Sequence, residues 1–342
     1  MDCQQRANRP GPDPGGGGSA RVVVFGYHDM GVAGLRELVG LGANVVAVVT
    51  HEDDPTEAIW FGSVAEEARA QAIPVLASQD PNAAAVVEEI RALRPDLLFS
   101  FYYRRLLSPA ILALPRLAAV NLHGSLLPKY RGRAPLNWVL VRGETRTGVT
   151  LHHMDQQADH GDIIGQREVA IEIEDTALTL WRKLIAAGRG LLAETYPLLA
   201  AGRAPRVPQD HAVATTFGRR RPADGLIDWS RSAWEIYNLI RAVTHPFPGA
   251  FTFRGERRIF LWAARPPGDQ PSRELPGTIL GLGDGGALRV ATGQGALEVL
   301  RVQPEGEAER GGADYFTTME NTAQARFMSP APQGVGGSRR YP

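Results

Sequence analysis

The sequence predicts an α/β protein with a mostly parallel sheet in its first two thirds and a small antiparallel β-barrel behind it. Three observations lead there. Short β-branched runs alternate with segments of helical apolar spacing from residue 21 onward, this alternation ends at a Pro-rich connection at 202–208, and the strands beyond it are short and separated by Gly turns. The chain has 342 residues, enough for two domains of roughly 150 residues each, and 44% apolar content is sufficient for packed cores.

Residues 1–19 carry too little apolar side chain to offset the entropy of ordering and are expected to form a flexible leader. The run 22–25 reads as a strand, 31–41 as a helix and 45–49 as a second strand. A further cycle follows as helix 63–71, strand 74–76, helix 82–93 and strand 96–102, each punctuated by Pro, Asp or Gly. Such alternation implies parallel strands joined by right-handed crossovers, with ligands beyond the strands' carboxyl ends. Strand 119–123 then leads into a loop, a helix begins near Ala134, 148–154 and 163–173 are extended, and 178–199 is helical by spacing. After the connection come one helix, 234–243, and short strands at 249–253, 258–263, 277–282, 288–291 and 296–302. These readings divide the chain into a leader (1–19), a catalytic domain (20–204), a barrel domain (205–318) and a flexible tail (319–342).

Charge and cysteine content narrow the function. Lys plus Arg equals Asp plus Glu at 37 each, so no global pull toward nucleic acid or anionic lipid is present. The single cysteine, Cys3, excludes an intrachain disulfide and any site built from several thiolates, which fits a reducing compartment. No stretch approaches the roughly 20 apolar residues that a membrane-spanning helix needs. A cytoplasmic protein without membrane association is expected. The first strand-to-helix turn, residues 26–34, lacks both the G-x-G-x-x-G spacing and the Gly-Lys-Ser/Thr of a P-loop, so neither NAD nor ATP is indicated. His28 and Asp29 read there as loop residues at a strand's carboxyl end, without a catalytic role.

The segment that carries chemistry runs from Asn121 to Trp138, NLHGSLLPKYRGRAPLNW. Asn121 and His123 lie two apart at a strand end, so their side chains point to one face and can converge on one small group. Pro128, Gly132 and Pro135 constrain the loop that follows, which carries Lys129, Tyr130, Arg131 and Arg133 and reads as a substrate loop.

These residues resemble a known signature. Asn121, His123 and the run from Ser125 to Gly132 are similar to the signature of folate-dependent formyltransferases, and Gln157-Ala158-Asp159-His160-Gly161-Asp162 resembles that family's second motif, except that His160 stands where a small residue is usual. The resemblance covers most of residues 21–318. It implies a Rossmann-like catalytic half, an OB-like barrel appended to it, 10-formyltetrahydrofolate as co-substrate and no metal. It also implies catalytic roles for Asn121, His123 and Asp159, and a folate pocket of Arg105, Leu106, Leu107, Arg133, Asp155, Gln156, Gln157 and Ala158.

The chemistry suits those residue types. An amine attacking a formamide carbonyl gives a tetrahedral oxyanion, which an Asn amide and a His N–H can stabilise by donating hydrogen bonds. One nitrogen loses a proton while the other gains one, so a proton relay is needed, and a carboxylate beside His123 would orient that ring.

The acceptor is the open point. Segments 25–31, 99–104 and 133–138 look closest to the formyltransferase half of the bifunctional polymyxin-resistance proteins, which formylate UDP-4-amino-4-deoxy-L-arabinose for lipid A modification. On that reading the partner is a small sugar nucleotide, and Lys129, Tyr130, Arg131, Arg219 and Arg220 are expected to bind it, with Arg221 alongside. The companion NAD-dependent decarboxylase half is expected to be absent. The alternative is a methionyl-tRNA formyltransferase, for which the local excess of eleven Arg over five acidic residues in 201–265 speaks. A non-catalytic folate or nucleotide sensor would require a substitution in the Asn, His, Asp set, and the set is complete. Homo-oligomerisation is left open.

Overall fold

The computed structural model describes residues 19–54, 59–268, 271–319 and 325–328. The expected leader falls almost wholly outside the described residues, as does most of the expected tail. The catalytic half runs β1 (Arg21–Gly26), α1 (His28–Gly40), β2 (Asn44–Thr50), α2 (Val64–Ala70), β3 (Val75–Ala77), α3 (Ala84–Ala92), β4 (Leu97–Phe101), α4 (Pro109–Leu112) and β5 (Ala118–His123). It continues with β6 (Arg131–Gly132), α5 (Pro135–Val141), β7 (Arg146–His153), β8 (Ile163–Ala170) and α6 (Ala177–Ala200).

Seven strands form one sheet in the order β3-β2-β1-β4-β5-β7-β8. The first five are parallel, whereas β7 and β8 extend the sheet antiparallel from β5. The parallel strands are buried on both faces and read as continuous apolar runs, Val22, Val23, Val24 and Phe25 of β1 each being fully buried. The chain leaves β1 toward β2 and β3 and returns to β4 on the other side, which opens a crevice at the carboxyl ends. The long helix α6 starts at a capping box made by Thr176 and Thr179 and buries its Leu-rich face, including Leu180, Leu184 and Leu191.

Past the connection lie β9 (Thr216–Phe217), α7 (Ala233–Val243), β10 (Ala250–Arg254), β11 (Arg257–Ala264), β12 (Ile279–Leu282), β13 (Leu288–Ala291), β14 (Ala296–Pro304), β15 (Arg310–Gly311) and α8 (Gly312–Thr317). The antiparallel sheet runs β10-β11-β14-β13-β12, with β15 on β14. Residues 325–328 join its two ends: Ile279 N–H donates to the Ala325 carbonyl at 2.9 Å, and Phe253 and Met328 exchange backbone hydrogen bonds of 3.1 and 2.8 Å. This corrects the expectation that everything from residue 319 is tail. Phe327 is the physical reason, because its ring, 1% exposed, packs on Trp229 and Tyr315.

The halves are stitched together by polar as well as apolar contacts. Asn137 Nδ2 on α5 donates to the Ala242 carbonyl on α7 at 2.7 Å, and β6 pairs in parallel with β9. The segment joining the halves therefore continues from the Pro-rich stretch at 202–208 through β9 to residue 217, and it runs back along the catalytic half instead of bridging open solvent. No helix among the described residues is long and apolar enough to cross a membrane.

Candidate functional site

Strand β5 ends at the crevice with Leu122 turned into the core, 4% exposed, and Asn121 and His123 turned to the other face. Register places Ser100 of β4 opposite Asn121 on one side and His152 of β7 on the other. The loop after β7 then brings Asp159 over this strand end with a left-handed backbone, φ 56°. Gly161 permits the fold-back: a Cβ there would lie 2.0 Å from the His153 carbonyl oxygen.

Three side chains meet on one carboxylate oxygen. Asp159 Oδ1 is 3.3 Å from His123 Nδ1, 3.4 Å from Asn121 Nδ2 and 3.6 Å from His152 Nε2. Asp159 Oδ2 accepts from the Gly132 backbone N–H at 2.8 Å. His123 Nε2 donates to the Tyr130 carbonyl at 2.8 Å, so the ring nitrogen available for proton exchange is Nδ1, the one facing Asp159. His152 Nδ1 donates to the His153 carbonyl at 2.8 Å, which leaves Nε2 as an acceptor for Asn121 Nδ2 at 3.2 Å. Only the NH2 side of the Asn121 amide can sit between an acceptor nitrogen and a carboxylate, so its orientation is fixed by the network. Burial pushes the Asp159 acid up, but the imidazole of His123 alongside it and the Gly132 N–H outweigh that, and the carboxyl is held well below the usual range.

The cluster opens on a cavity of about 1180 Å³ lined by Asn121, His123 and Asp159. Every residue that the resemblance assigned to the folate, namely Arg105, Leu106, Leu107, Arg133, Asp155, Gln156, Gln157 and Ala158, lines the same cavity. Arg219 and Arg220 also line it, together with Arg221 and Arg104. Arg220 stacks over Trp138 at 4.8 Å and donates to the Asp224 carbonyl at 2.8 Å.

Three expected substrate-binding residues stand elsewhere. Tyr130 is buried, stacks on Phe217 with centroids 5.0 Å apart, and donates to Glu144 Oε1 at 2.5 Å. Arg131 is 8% exposed and donates to Gln209 Oε1 at 2.6 Å. Lys129 is exposed outside the cavity. The loop closes on itself through Ser125 Oγ, which donates to the Lys129 carbonyl at 2.7 Å and turns those side chains away from the crevice. His28 is not a loop residue: it opens α1 with φ 63° and is buried under Phe61, Trp60, Trp181 and Tyr102. His152 and Gln209 were missed by sequence reading, because neither the partner strand of β7 nor the path of the connection is written in local spacing.

Fold and site together define a two-domain α/β enzyme whose carboxylate, imidazole and amide converge at the mouth of its main sheet. A family model described as formyl transferase matches residues 20–195, and one described as the formyl transferase C-terminal domain matches residues 220–320. The chain belongs to the formyl transferase family.

Solved structures share the fold. An N-formyltransferase from Helicobacter canadensis, in complex with folinic acid and dTDP-3-aminofucose, is 20% identical with a TM-score of 0.62 over 81% of this chain and 98% of that one. WlaRD, a sugar 3N-formyl transferase in the presence of dTDP and 5-N-formyl-THF, is 18% identical with a TM-score of 0.60 over 85% of this chain and 100% of its own. HypX from Aquifex aeolicus, in complex with tetrahydrofolic acid, is 17% identical with a TM-score of 0.57 over 87% of this chain and 47% of its own.

Proposed function

We propose that this protein transfers the formyl group of 10-formyltetrahydrofolate to the amine of a nucleotide-linked amino sugar, with UDP-4-amino-4-deoxy-L-arabinose the acceptor favoured by the sequence resemblance. The observation that carries this reading is the sharing of Asp159 Oδ1 by Asn121 and His123 at the mouth of an Arg-rimmed cavity. That two neighbours of the same fold are described with a folate, one beside dTDP-3-aminofucose and the other beside dTDP, supports it.

The cavity fits a folate head group in its chemistry. Leu106, Leu107, Leu112 and Met154 offer apolar contact, and the 155–158 loop lies beside them with backbone groups able to pair with a heterocycle. Asn121 and His123 face the position of the transferring carbonyl. As its oxygen gains negative charge, Asn121 Nδ2, now 3.4 Å from Asp159 Oδ1, turns a proton to it, and protonated His123 Nδ1 supplies the second donor. The incoming amine forms the new C–N bond and gives its proton to Asp159, His123 Nδ1 gives its proton to the departing folate nitrogen as that C–N bond breaks, and Asp159 then returns the held proton to Nδ1. Arg219, Arg220 and Arg221 supply the cations that a nucleotide diphosphate requires. Cytoplasmic location, and a place in lipid A modification and polymyxin resistance, follow from this acceptor and stand with it.

The test is formylation of UDP-4-amino-4-deoxy-L-arabinose, dTDP-3-aminofucose and methionyl-tRNA by the protein with 10-formyltetrahydrofolate, product mass being the readout. A gain of one formyl group on a sugar nucleotide supports the reading, and the two sugars decide between UDP- and dTDP-linked acceptors. Formylation confined to the tRNA overturns it in favour of the alternative.

A further inference from the structure

We infer that Gln209, backed by Arg131, is a positioning residue that sets the Asp159 carboxylate, so that the segment joining the two domains is a working part of the reaction centre. This inference rests on the reading of Asp159 as a reacting group.

The turn that carries Asp159 is short and holds that residue in the left-handed region at φ 56°, and two of its carbonyls accept from one side chain. Gln209 Nε2 donates to both, at 3.0 Å to the Asp159 carbonyl and 2.7 Å to the Gly161 carbonyl. Gln209 Oε1 accepts from Arg131 Nε at 3.2 Å and from an Arg131 terminal nitrogen at 2.6 Å. Because Arg only donates, Oε1 must face Arg131 and the NH2 must face the turn, which leaves one orientation for the amide. Gln209 is 6% and Arg131 8% exposed, and neither lines the cavity.

The two-residue strand β6 thus grips Asp159 at both ends. The Gly132 N–H holds its carboxylate at 2.8 Å, while the Arg131 side chain, through Gln209, holds its main chain. β6 is itself anchored on the connection, Arg131 N–H donating to the Thr215 carbonyl at 2.8 Å. Removing the Gln209 amide leaves two carbonyls without their donor and frees a residue whose left-handed backbone is disfavoured. The carboxylate then drifts from His123 and Asn121, and a displacement near 1 Å in a reaction centre costs about 100-fold in rate.

The experiment compares Gln209→Met, Arg131→Met and the double variant with wild type, in kcat and in KM for both substrates. Each rate is referred to the fraction of protein that binds folinic acid in a fluorescence titration. Gln209→Met is expected to lose kcat by about 100-fold with both KM values within about 3-fold of wild type, a split that lost folding does not produce. The double variant is expected to be no slower than the worse single one, because the two residues act in series. A folate-binding Gln209→Met with kcat within 3-fold of wild type overturns the proposal. Should that variant not fold, Gln209→Asn keeps the amide a methylene short and is read in the same way. Asp159→Asn is run in parallel: full activity in that variant removes the reading on which the inference rests, whereas an inactive Asp159→Asn beside a normal Gln209→Met removes the inference alone.

Discussion

Gly132 and Asp159 lie 27 positions apart, and the backbone N–H of the first donates to Oδ2 of the second at 2.8 Å, tying the two sequence motifs into one site. The other oxygen is left to His123 and Asn121. Asp159→Asn keeps an atom to accept from Gly132 but removes the charge facing His123 Nδ1. We expect kcat to fall by about 100- to 10000-fold with folinic acid binding retained, measured by steady-state kinetics beside a ligand titration. Turnover within 10-fold of wild type would exclude Asp159 from proton transfer.

Gly132 itself cannot be replaced without cost. Its φ is 94°, and a Cβ would lie 2.4 Å from the Phe217 carbonyl oxygen across the β6 to β9 pairing. Gly132→Ala is expected to destabilise the protein by about 2–4 kcal/mol, lowering Tm by roughly 5–10 °C, and to reduce kcat as its N–H leaves Asp159. Thermal melts followed by circular dichroism check the first part. An unchanged Tm would mean that the connection does not clamp β6 as described.

Most strands and helices and the shared face of Asn121 and His123 were legible locally, whereas the arrangements that depend on distant chain were not. The period-two pattern placed Asn121 and His123 on one face because that face is set by their own strand. The same pattern on β7 could not name β5 as its partner, so His152 went unseen until the register put it opposite Asn121. Arg131 was taken for a substrate ligand because Arg in a loop beside a crevice usually meets solvent or ligand. Its burial against Gln209 depends on the connection folding back, and no local signal in 202–217 encodes that return. Phe327 illustrates the same limit: one buried ring closes a barrel, within a segment whose composition reads as tail.

Salt dependence separates the two acceptor classes without identifying the sugar. A tRNA neutralised by many Arg side chains releases counterions in proportion to the phosphates contacted, about 0.7 per phosphate for single strands and 0.9 for duplex. A sugar nucleotide carries a single diphosphate, so it displaces few counterions. We expect the logarithm of acceptor affinity to fall with the logarithm of salt at a slope no steeper than about −2. Affinity measured calorimetrically from 50 to 300 mM NaCl tests this, and a slope beyond about −4 would favour the nucleic-acid acceptor.

The buried His28 ties the stability of the fold to pH. Its ring is stacked on Phe61 with centroids 3.8 Å apart, is 5% exposed, and accepts from the Asp29 N–H through Nδ1 at 2.9 Å. Burial pushes its pKa down from 6.5 to about 4, against the pull of Asp29 and with help from Arg104. Between these values the unfolded chain binds a proton that the folded chain refuses. Stability is therefore fully present above the unfolded value and declines as pH falls through this window, by at most about 3 kcal/mol once below it. Protonation of Nδ1 would also break the contact with Asp29. In His28→Phe the ring stack is retained at the same backbone angle and the titrating group is gone, so the Asp29 contact is lost equally at every pH. The difference in Tm between wild type and His28→Phe, followed from pH 7.5 to 4.5, is expected to shift steadily in favour of the variant as pH falls. A difference constant across that range would mean that His28 takes up its proton in the folded state as readily as in the unfolded one.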